Sequence, residues 1–307
     1  MKKTILITGG LGFVGKNLSL FLKKKYKIII VDNFSSGDKN FIDKSIKIYK
    51  KNIKNDLNYI FRNNKINFII HCAANFANQN SIDNIKNDME SNICGTVNIL
   101  EMAKKYKIQK FIYLSSSCIY TDPKSKEHIC DPSFKTPYAI SKFTAEQYVS
   151  FYNLHHKVNT VSFRLYNFYG KFDYVGKYRN VIPNFISAAL NNKILKIHGD
   201  GLSTRDFTSV NDFVHFVNNF LLIKKEINGV FNFGSSSSIK IIDLAKIIIK
   251  ICNSNSRIQF IPSRNWDLIS YRSANNLKLK KYFSKIKFTP LDVGLKETVK
   301  WFSINNN

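Results

Sequence analysis

The stretch TPYAISKFTAEQY places Tyr138 and Lys142 four residues apart, and on a helix that spacing puts both side chains on one face. A phenol beside an ammonium can move a proton. A tyrosine with an ordinary pKa near ~10 must act as phenolate at neutral pH, and lowering it by about three units takes ~4 kcal/mol of preference for the charged form. A lysine one helical turn away supplies part of that preference. Earlier, KFIYLSSSCIY sets a serine cluster containing Ser116 at the carboxyl end of an apolar run. In isolation Tyr138 also reads as a half-buried aromatic and Lys142 as a solvated helix charge. The ordered succession of glycine loop, serine strand and Tyr-Lys pair favours the chemical reading.

That glycine loop is TGGLGFVG, Thr8 to Gly15. Gly10, Gly12 and Gly15 spell the general dinucleotide fingerprint G-x-G-x-x-G. Gly9, Gly12 and Gly15 spell the narrower G-x-x-G-x-x-G. In either reading a strand, TILIT, turns tightly into a helix beginning near Phe13 and Val14. Glycines let the backbone approach a pyrophosphate held at the positive end of the helix dipole. The next strand closes in VDNFSSG, so Asp32 lies about 20 residues past the loop, where a carboxylate accepts hydrogen bonds from the adenosine ribose and repels a 2′-phosphate. No arginine follows directly, so NAD is expected over NADP. A turn or cap role for Asp32-Asn33 is the plainer alternative.

These groups need a scaffold that brings strand ends together. TILITG, KIIIVD, INFIIHCAA and KFIYLSSS read as buried strands, as continuous apolar runs do in a parallel sheet. NLSLFLKKK and SNICGTVNILEMAKKY read as the helices between them. NTVSFRLYN and GVFNFGS add further strands. The predicted fold class is α/β, a Rossmann-type doubly wound parallel sheet with a smaller C-terminal substrate-binding region. Residues 1–165, with about 206–235 returning, form the nucleotide-binding domain, and residues 166–205 and 236–307 form the substrate-binding region.

The chain has 307 residues, enough for one large or two interleaved domains, and carries a formal net charge of +26. Its basic runs, such as KKKYK, are short and scattered, so the charge reads as spread over the surface, and no nucleic-acid partner is expected. Five cysteines form no CxxC pair, which predicts neither disulfides nor a metal site and fits a reducing cytoplasm. Glycines interrupt the apolar N-terminal stretch, so no signal peptide is expected, and no segment reaches the length of a membrane span.

In its ordered motifs the whole chain resembles the extended short-chain dehydrogenase/reductase family, in its NAD-dependent nucleotide-sugar epimerase/dehydratase branch, and most of all the UDP-glucose 4-epimerase-like members. The matching elements are TGGLGFVG, VDNFSSG, HCAA, Asn92-x-x-Gly95-Thr96, SSSCIY, YAISK, GDGLSTRDFTSVNDF, FNFGS and PLDVGLKETVKWF. The resemblance implies Ser116, Tyr138 and Lys142 as catalytic residues. It implies NAD held by Gly9, Gly12, Phe13, Val14, Gly15, Asp32, Asn33, Asn52, Ile53, Ala73, Ala74 and Asn92, together with Tyr138 and Lys142. For the nucleotide sugar it implies Ser116, Ser117, Cys118, Tyr138, Asn167, Asn180, Arg205 and Arg264, the arginines suiting a diphosphate by bidentate pairing. Arg179 and Arg272 are further candidates. A homodimer and a UDP-sugar substrate are also expected from the resemblance.

Departures from the family pattern narrow the chemistry. Related 4,6-dehydratases carry an Asp-Glu pair, or the Glu alone, just after the catalytic hydroxyl residue, whereas this chain has Ser117 and Cys118. GDP-fucose synthases share SSCIY but use NADPH and a histidine before Val-Ile-Pro, whereas this chain has Asp32 and Asn180. The usual Arg-x-Gly-Asp reads Arg264-Asn-Trp266-Asp267, and Thr121 and Lys171 replace a common glycine and proline. The expected reaction is reversible C4 epimerisation through a 4-keto sugar, with NAD as a retained catalyst. An epimerase/reductase of the GDP-fucose synthase kind and a non-catalytic RNA-binding protein are the alternatives. The sugar, the nucleotide and the role of Cys118 stay open at this point.

Overall fold

The structure is a computed structural model that describes residues 2–38, 40–41, 43–120, 134–178, 180–267 and 269–305. Thr121, Cys130 and Arg179 lie outside the described residues. In chain order the first half comprises β1 (Thr4–Thr8), α1 (Phe13–Leu22), β2 (Lys27–Asp32), β3 (Lys47–Lys50), α2 (Asn58–Arg62) and β4 (Phe68–His71). Then come α3 (Asn78–Asp83), α4 (Ile85–Met89), a π-helical turn over Glu90–Cys94, α5 (Gly95–Lys105), β5 (Lys110–Ser116), α6 (Pro137–His156) and β6 (Thr160–Leu165). The second half holds β7 (Asn167–Tyr169), α7 (Val181–Leu190), β8 (Leu195–His198), β9 (Thr204–Ser209), α8 (Val210–Phe220), β10 (Gly229–Phe233), β11 (Ser238–Lys240), α9 (Ile241–Ile251), β12 (Ile258–Ile261), β13 (Tyr271–Arg272), α10 (Leu277–Tyr282) and α11 (Leu291–Asn305).

A seven-stranded parallel sheet runs in the order β10-β6-β5-β4-β1-β2-β3. Its inner strands are buried along nearly their whole length, β1, β4 and β5 at every position, which is why they read as unbroken apolar runs rather than alternating ones; the edge strands β3 and β10 are only partly buried. The order reverses between β1 and β4, where Ile5 pairs with Phe68 and Thr8 with His71. A ligand crevice opens at such a switch point, at the carboxyl ends of the strands.

The chain divides into two compact units. One comprises Met1–Ile119, Thr136–Arg164 and Val214–Phe231, and the other Tyr120–Lys135, Leu165–Phe213 and Asn232–Asn307. The first buries Leu6, Ile29, Ile69, Leu100, Phe111 and their neighbours between sheet and helices. In the second, β9 lies between β11 and β13 and also pairs with β7, while β8 pairs with β12. Its core joins Phe185, Ile186, Leu244, Ile248, Leu295 and Phe302.

Candidate active site

The glycine loop takes the narrower of its two readings. Gly9 has φ +64°, and a Cβ there would lie 2.7 Å from the Ala73 backbone. A Cβ on Gly15 would lie 2.3 Å from the Gly9 carbonyl oxygen, and one on Gly12 3.3 Å from the same atom. Gly10 instead packs against Ile30 of the neighbouring strand, where a Cβ would come within 2.6 Å of its side chain, so its smallness serves the core. Helix α1 starts on Gly12 with no side-chain cap and no acidic residue in its first turn. Its free N–H groups, at half-buried Phe13 and Val14, suit an anion.

Asp32 ends β2 beside this turn, buried, with Oδ2 accepting from Leu11 N–H at 3.0 Å and Oδ1 from Phe34 N–H at 2.8 Å. Burial raises its pKa, and the two backbone N–H groups oppose that rise. The carboxylate is held facing the loop with lone pairs to spare for hydroxyls. These residues fit a dinucleotide: a glycine turn with no room for side chains, an uncapped helix start and a fixed carboxylate.

Of the remaining cofactor candidates, Ala73 and Ala74 are half-buried, Ala73 lying directly against Gly9. Asn33 is exposed and accepts from Ser35 N–H, while Asn52 accepts from Lys54 N–H. Ile53 is buried against Gly95, where a Cβ would fall 2.5 Å from its Cδ1.

A directed hydrogen-bond chain links the loop to Asn92. The Thr96 hydroxyl donates its only proton to the Asn92 carbonyl at 2.6 Å. His71 Nε2, 2.9 Å away, must then donate to Thr96 Oγ1, leaving Nδ1 to accept from Thr8 Oγ1 at 2.6 Å. The Ala73 N–H completes the chain on Thr8 Oγ1. Burial, reinforced by Lys142, pushes His71 down to about 3, so it stays neutral.

Helix α6 places the reactive pair. Thr136 caps it by accepting from Ala139 N–H and Pro137 occupies the first turn, the arrangement that fixes a helix start. Tyr138 and Lys142 face inward, 6% and 3% exposed. Lys142 Nζ donates to the Leu114 carbonyl of β5 and sits 4.2 Å over the Tyr113 ring. Ser116, at the end of β5, lies where its hydroxyl favours the ionised Tyr138 phenol, and its Oγ accepts from Cys118 N–H at 3.1 Å. Ser116 at the end of β5 and Tyr138 at the start of α6 are thus close enough to interact, with Lys142 one helical turn further on.

Electrostatics hold the pair in tension. Burial drives the Tyr138 phenol upward, the Cys118 and Asp88 sides add to that, and the Ser116 hydrogen bond opposes it. Burial drives Lys142 down to about 7, against the pull of Glu146, Asp88 and Cys72. Both shifts disfavour the charged forms, so phenolate at neutral pH requires added positive charge at the site.

Two buried carboxylates here escape a motif reading. Asp88, 1% exposed, accepts from Asn92 Nδ2 at 2.9 Å, while the Ser141 hydroxyl donates to the Tyr138 carbonyl at 3.2 Å. Asn92 also accepts from Asn75 N–H at 2.7 Å and reaches Ser141 Oγ at 3.0 Å, so its amide organises the site. The π-helical turn that carries Asn92 was expected as plain α-helix. Such turns recur at functional sites because they re-aim side chains. Glu146, fully buried one turn past Lys142, takes Arg164 bidentately and Ser115 Oγ at 2.7 Å. The one trace of them in the sequence is a spacing that surface carboxylates share: each lies four residues from a motif residue, Asp88 before Asn92 and Glu146 after Lys142.

Ser117 is buried in the turn after β5 and Cys118 is half-buried, its sulfur 3.7 Å from Asn78 Nδ2. The other predicted substrate residues lie in the second unit. Arg205 on β9 is 8% exposed and donates to Asp267 Oδ1 at 2.8 Å and to the Thr204 carbonyl. The neighbouring Asp206 is fully buried and takes N–H groups from Ser235, Ser236 and Ala274, which pins β9. Arg264 stacks on Trp266, 5.4 Å from its ring centre, so Arg264 and Asp267 of RNWD are both engaged inside the second unit. Asn167 donates to the Asp206 carbonyl, and Asn180 starts α7 and donates to the Phe168 carbonyl. No group of three or more His, Cys, Asp or Glu side chains suited to a metal occurs among the described residues. No helix among them is long and apolar enough to cross a membrane.

A family model described as the NAD dependent epimerase/dehydratase family matches residues 5–234. The chain is 36% identical over 273 residues to the dTDP-D-glucose 4,6-dehydratase of Dictyostelium discoideum, a match spanning 80% of this chain and 62% of that enzyme. It therefore spans less than two thirds of that relative's length. Epimerase Mth375 of Methanothermobacter thermautotrophicus superposes with a TM-score of 0.93 at 32% identity, covering 99% of this chain and 93% of that one. The UDP-glucose 4-epimerase of Thermotoga maritima, solved with UDP-glucose, superposes with a TM-score of 0.91 at 27% identity, covering 99% of this chain and 100% of that one.

Proposed function

We propose, for a chain that belongs to the NAD-dependent epimerase/dehydratase family, that its reaction is the reversible inversion of C4 in a UDP-hexose through a 4-keto sugar. The observation that carries this reading is the pair Ser117-Cys118 after Ser116, at the position where the resemblance puts a dehydratase's carboxylic acid. Expelling water from the sugar needs a proton donor beside the leaving hydroxyl. The buried carboxylate acting on Tyr138, Asp88, is turned to Asn92 instead. The 36% identity to a 4,6-dehydratase favours dehydration as the second reading.

In the epimerase reading Ser116 orients the C4 hydroxyl and Tyr138 Oη takes its proton, then returns it after the keto sugar has turned over. Lys142, anchored on Leu114, contributes positive charge one turn below in its protonated form. The glycine turn, the start of α1 and Asp32 would hold NAD, which when bound would supply reversible hydride acceptance and a positive ring charge to offset burial of the phenol. Arg205 binds the diphosphate, exchanging part of its contact with Asp267. Incubating the purified protein with UDP- and GDP-sugars without added cofactor tests the proposal by NMR. C4 epimers of a UDP-hexose are expected; a 4-keto-6-deoxy product, or turnover only with added NADPH, contradicts it.

Asp88 gives this scheme a pH signature. Its negative charge raises both Tyr138 and Lys142, so removing it lowers both. In Asp88→Asn the acid limb of kcat/KM, which follows ionisation of Tyr138, is expected at lower pH than in the wild type. A uniform loss of activity with the limb unmoved would make Asp88 purely structural.

The proposed partner is a second copy of the chain. Ile140, Tyr148, Phe151 and Leu154 leave one side of α6 apolar and exposed, with Met89 exposed on α4, and clustered apolar exposure of this kind marks association surfaces. Light scattering is expected to give the dimer mass, which Phe151→Glu reduces to the monomer; a wild-type monomer at micromolar concentration counts against the dimer.

A further inference from the structure

The geometry points to Phe76 as the surface on which the sugar ring lies, taking the C–H face of the pyranose beside Tyr138. This inference rests on the nucleotide-sugar reading above and adds a residue that no motif marks. Phe76 is 40% exposed, and its ring meets the Tyr138 ring edge-on, with centroids 5.9 Å apart and planes at 87°. One exposed phenylalanine is ordinary on a protein surface. This one is exposed against the buried residue that carries the reacting hydroxyl.

The backbone under the ring is fixed on both sides. Asn75 N–H donates to Asn92 Oδ1 at 2.7 Å and the Asn75 carbonyl accepts from Asn92 Nδ2 at 3.3 Å. Asn80 Nδ2 reaches both Asn75 Oδ1 and the Phe76 carbonyl at 2.7 Å. Farther along, Ser81 Oγ donates to the Asn78 carbonyl and accepts from Tyr138 N–H, tying the same segment to the start of α6. An exposed aromatic on a loop held this firmly is a preformed contact, with little ordering cost left for binding.

The chemistry of epimerisation explains why an apolar contact suits this position. A hexose offers hydroxyls around its rim and C–H bonds on its faces, and an aromatic face carries the negative quadrupole that C–H groups approach. Hydrogen-bonding side chains would fix one orientation of the ring. A keto sugar that must present either face needs a surface without direction, and Phe76 supplies one while Ser116 and Tyr138 hold the reacting oxygen.

The test uses the NAD-loaded full chain and its substrate UDP-hexose, with kinetics in both directions and calorimetric binding of UDP-hexose and of UDP alone. Phe76→Ala is expected to raise KM for both epimers on the order of tenfold, with kcat falling no more than about threefold and UDP affinity unchanged. Phe76→Tyr is expected to restore KM, and Phe76→Leu to restore it only in part. An unchanged KM in Phe76→Ala, or an equal loss of UDP and UDP-hexose affinity, overturns the assignment. A wild type that neither binds nor converts any UDP-hexose overturns the nucleotide-sugar reading and takes this inference with it. Wild-type turnover with an indifferent Phe76→Ala overturns this inference alone.

Discussion

Tyr138→Phe is expected to lower kcat by about 10²–10⁴-fold while the protein stays folded and keeps its NAD. The substitution retains the ring, its burial and its edge contact with Phe76, and removes only the hydroxyl whose ionisation Ser116 favours. No described neighbour replaces that oxygen. Ser116 has an ordinary alcohol as its acid-base group, and Lys142 is committed to the Leu114 carbonyl. Binding of substrate should survive, so KM should change far less than kcat, the pattern of an interaction made in the transition state. Single-turnover kinetics with retained nucleotide measured on the same sample checks both halves. Activity within threefold of the wild type would remove Tyr138 from the base role, and loss of nucleotide would show that the hydroxyl mainly holds the cofactor.

The second large effect is on stability. Glu146→Gln is expected to cost about 3–5 kcal/mol, because it leaves the Arg164 guanidinium buried without its counter-charge. Arg164 meets Glu146 through Nε at 3.0 Å and Nη2 at 2.6 Å, with side chains 11% and 0% exposed. For a chain of this size that corresponds to a fall in Tm of roughly 5–8 °C, measured at saturating NAD so that ligand linkage is constant. Replacing both partners, Glu146→Leu with Arg164→Met, should recover most of the loss, because no lone charge then remains buried. A single variant as stable as the wild type would show that the pair stores little. The same glutamate pulls Lys142 upward, so the double variant should refold well yet work best at lower pH than the wild type.

The strands and the loop were legible because each follows from local composition. A run such as KIIIVD has no polar side to show, and TGGLGFVG can only be a turn whose backbone is crowded. Tyr138 and Lys142 were legible from spacing, with Thr136-Pro137 marking the helix start. What stayed hidden depends on partners distant in sequence. Asp88 and Glu146 are surface-like letters on helices until Asn92, Ser141, Ser115 and Arg164 close around them. The His71 chain needs β1, β4 and α5 side by side. The resemblance implies a cofactor role for Asn92, and only the fold reveals that its amide also meets Asn75, Asp88 and Ser141. Asp267, which closes the altered Arg-x-Gly-Asp stretch, is the carboxylate on Arg205. Phe76 gave no signal, since an isolated aromatic in a loop has no period to reveal it.

The most direct test is to follow deuterium placed at C4 of the UDP-hexose that the protein converts, with only its retained NAD present. An epimerase of this design removes and returns the same hydrogen at the same carbon while Tyr138 holds the oxygen's proton. The account predicts a C4-inverted product with the label still at C4 and none in solvent. A 4-keto-6-deoxy product with the label at C6, or inversion with the label washed into water, would contradict it.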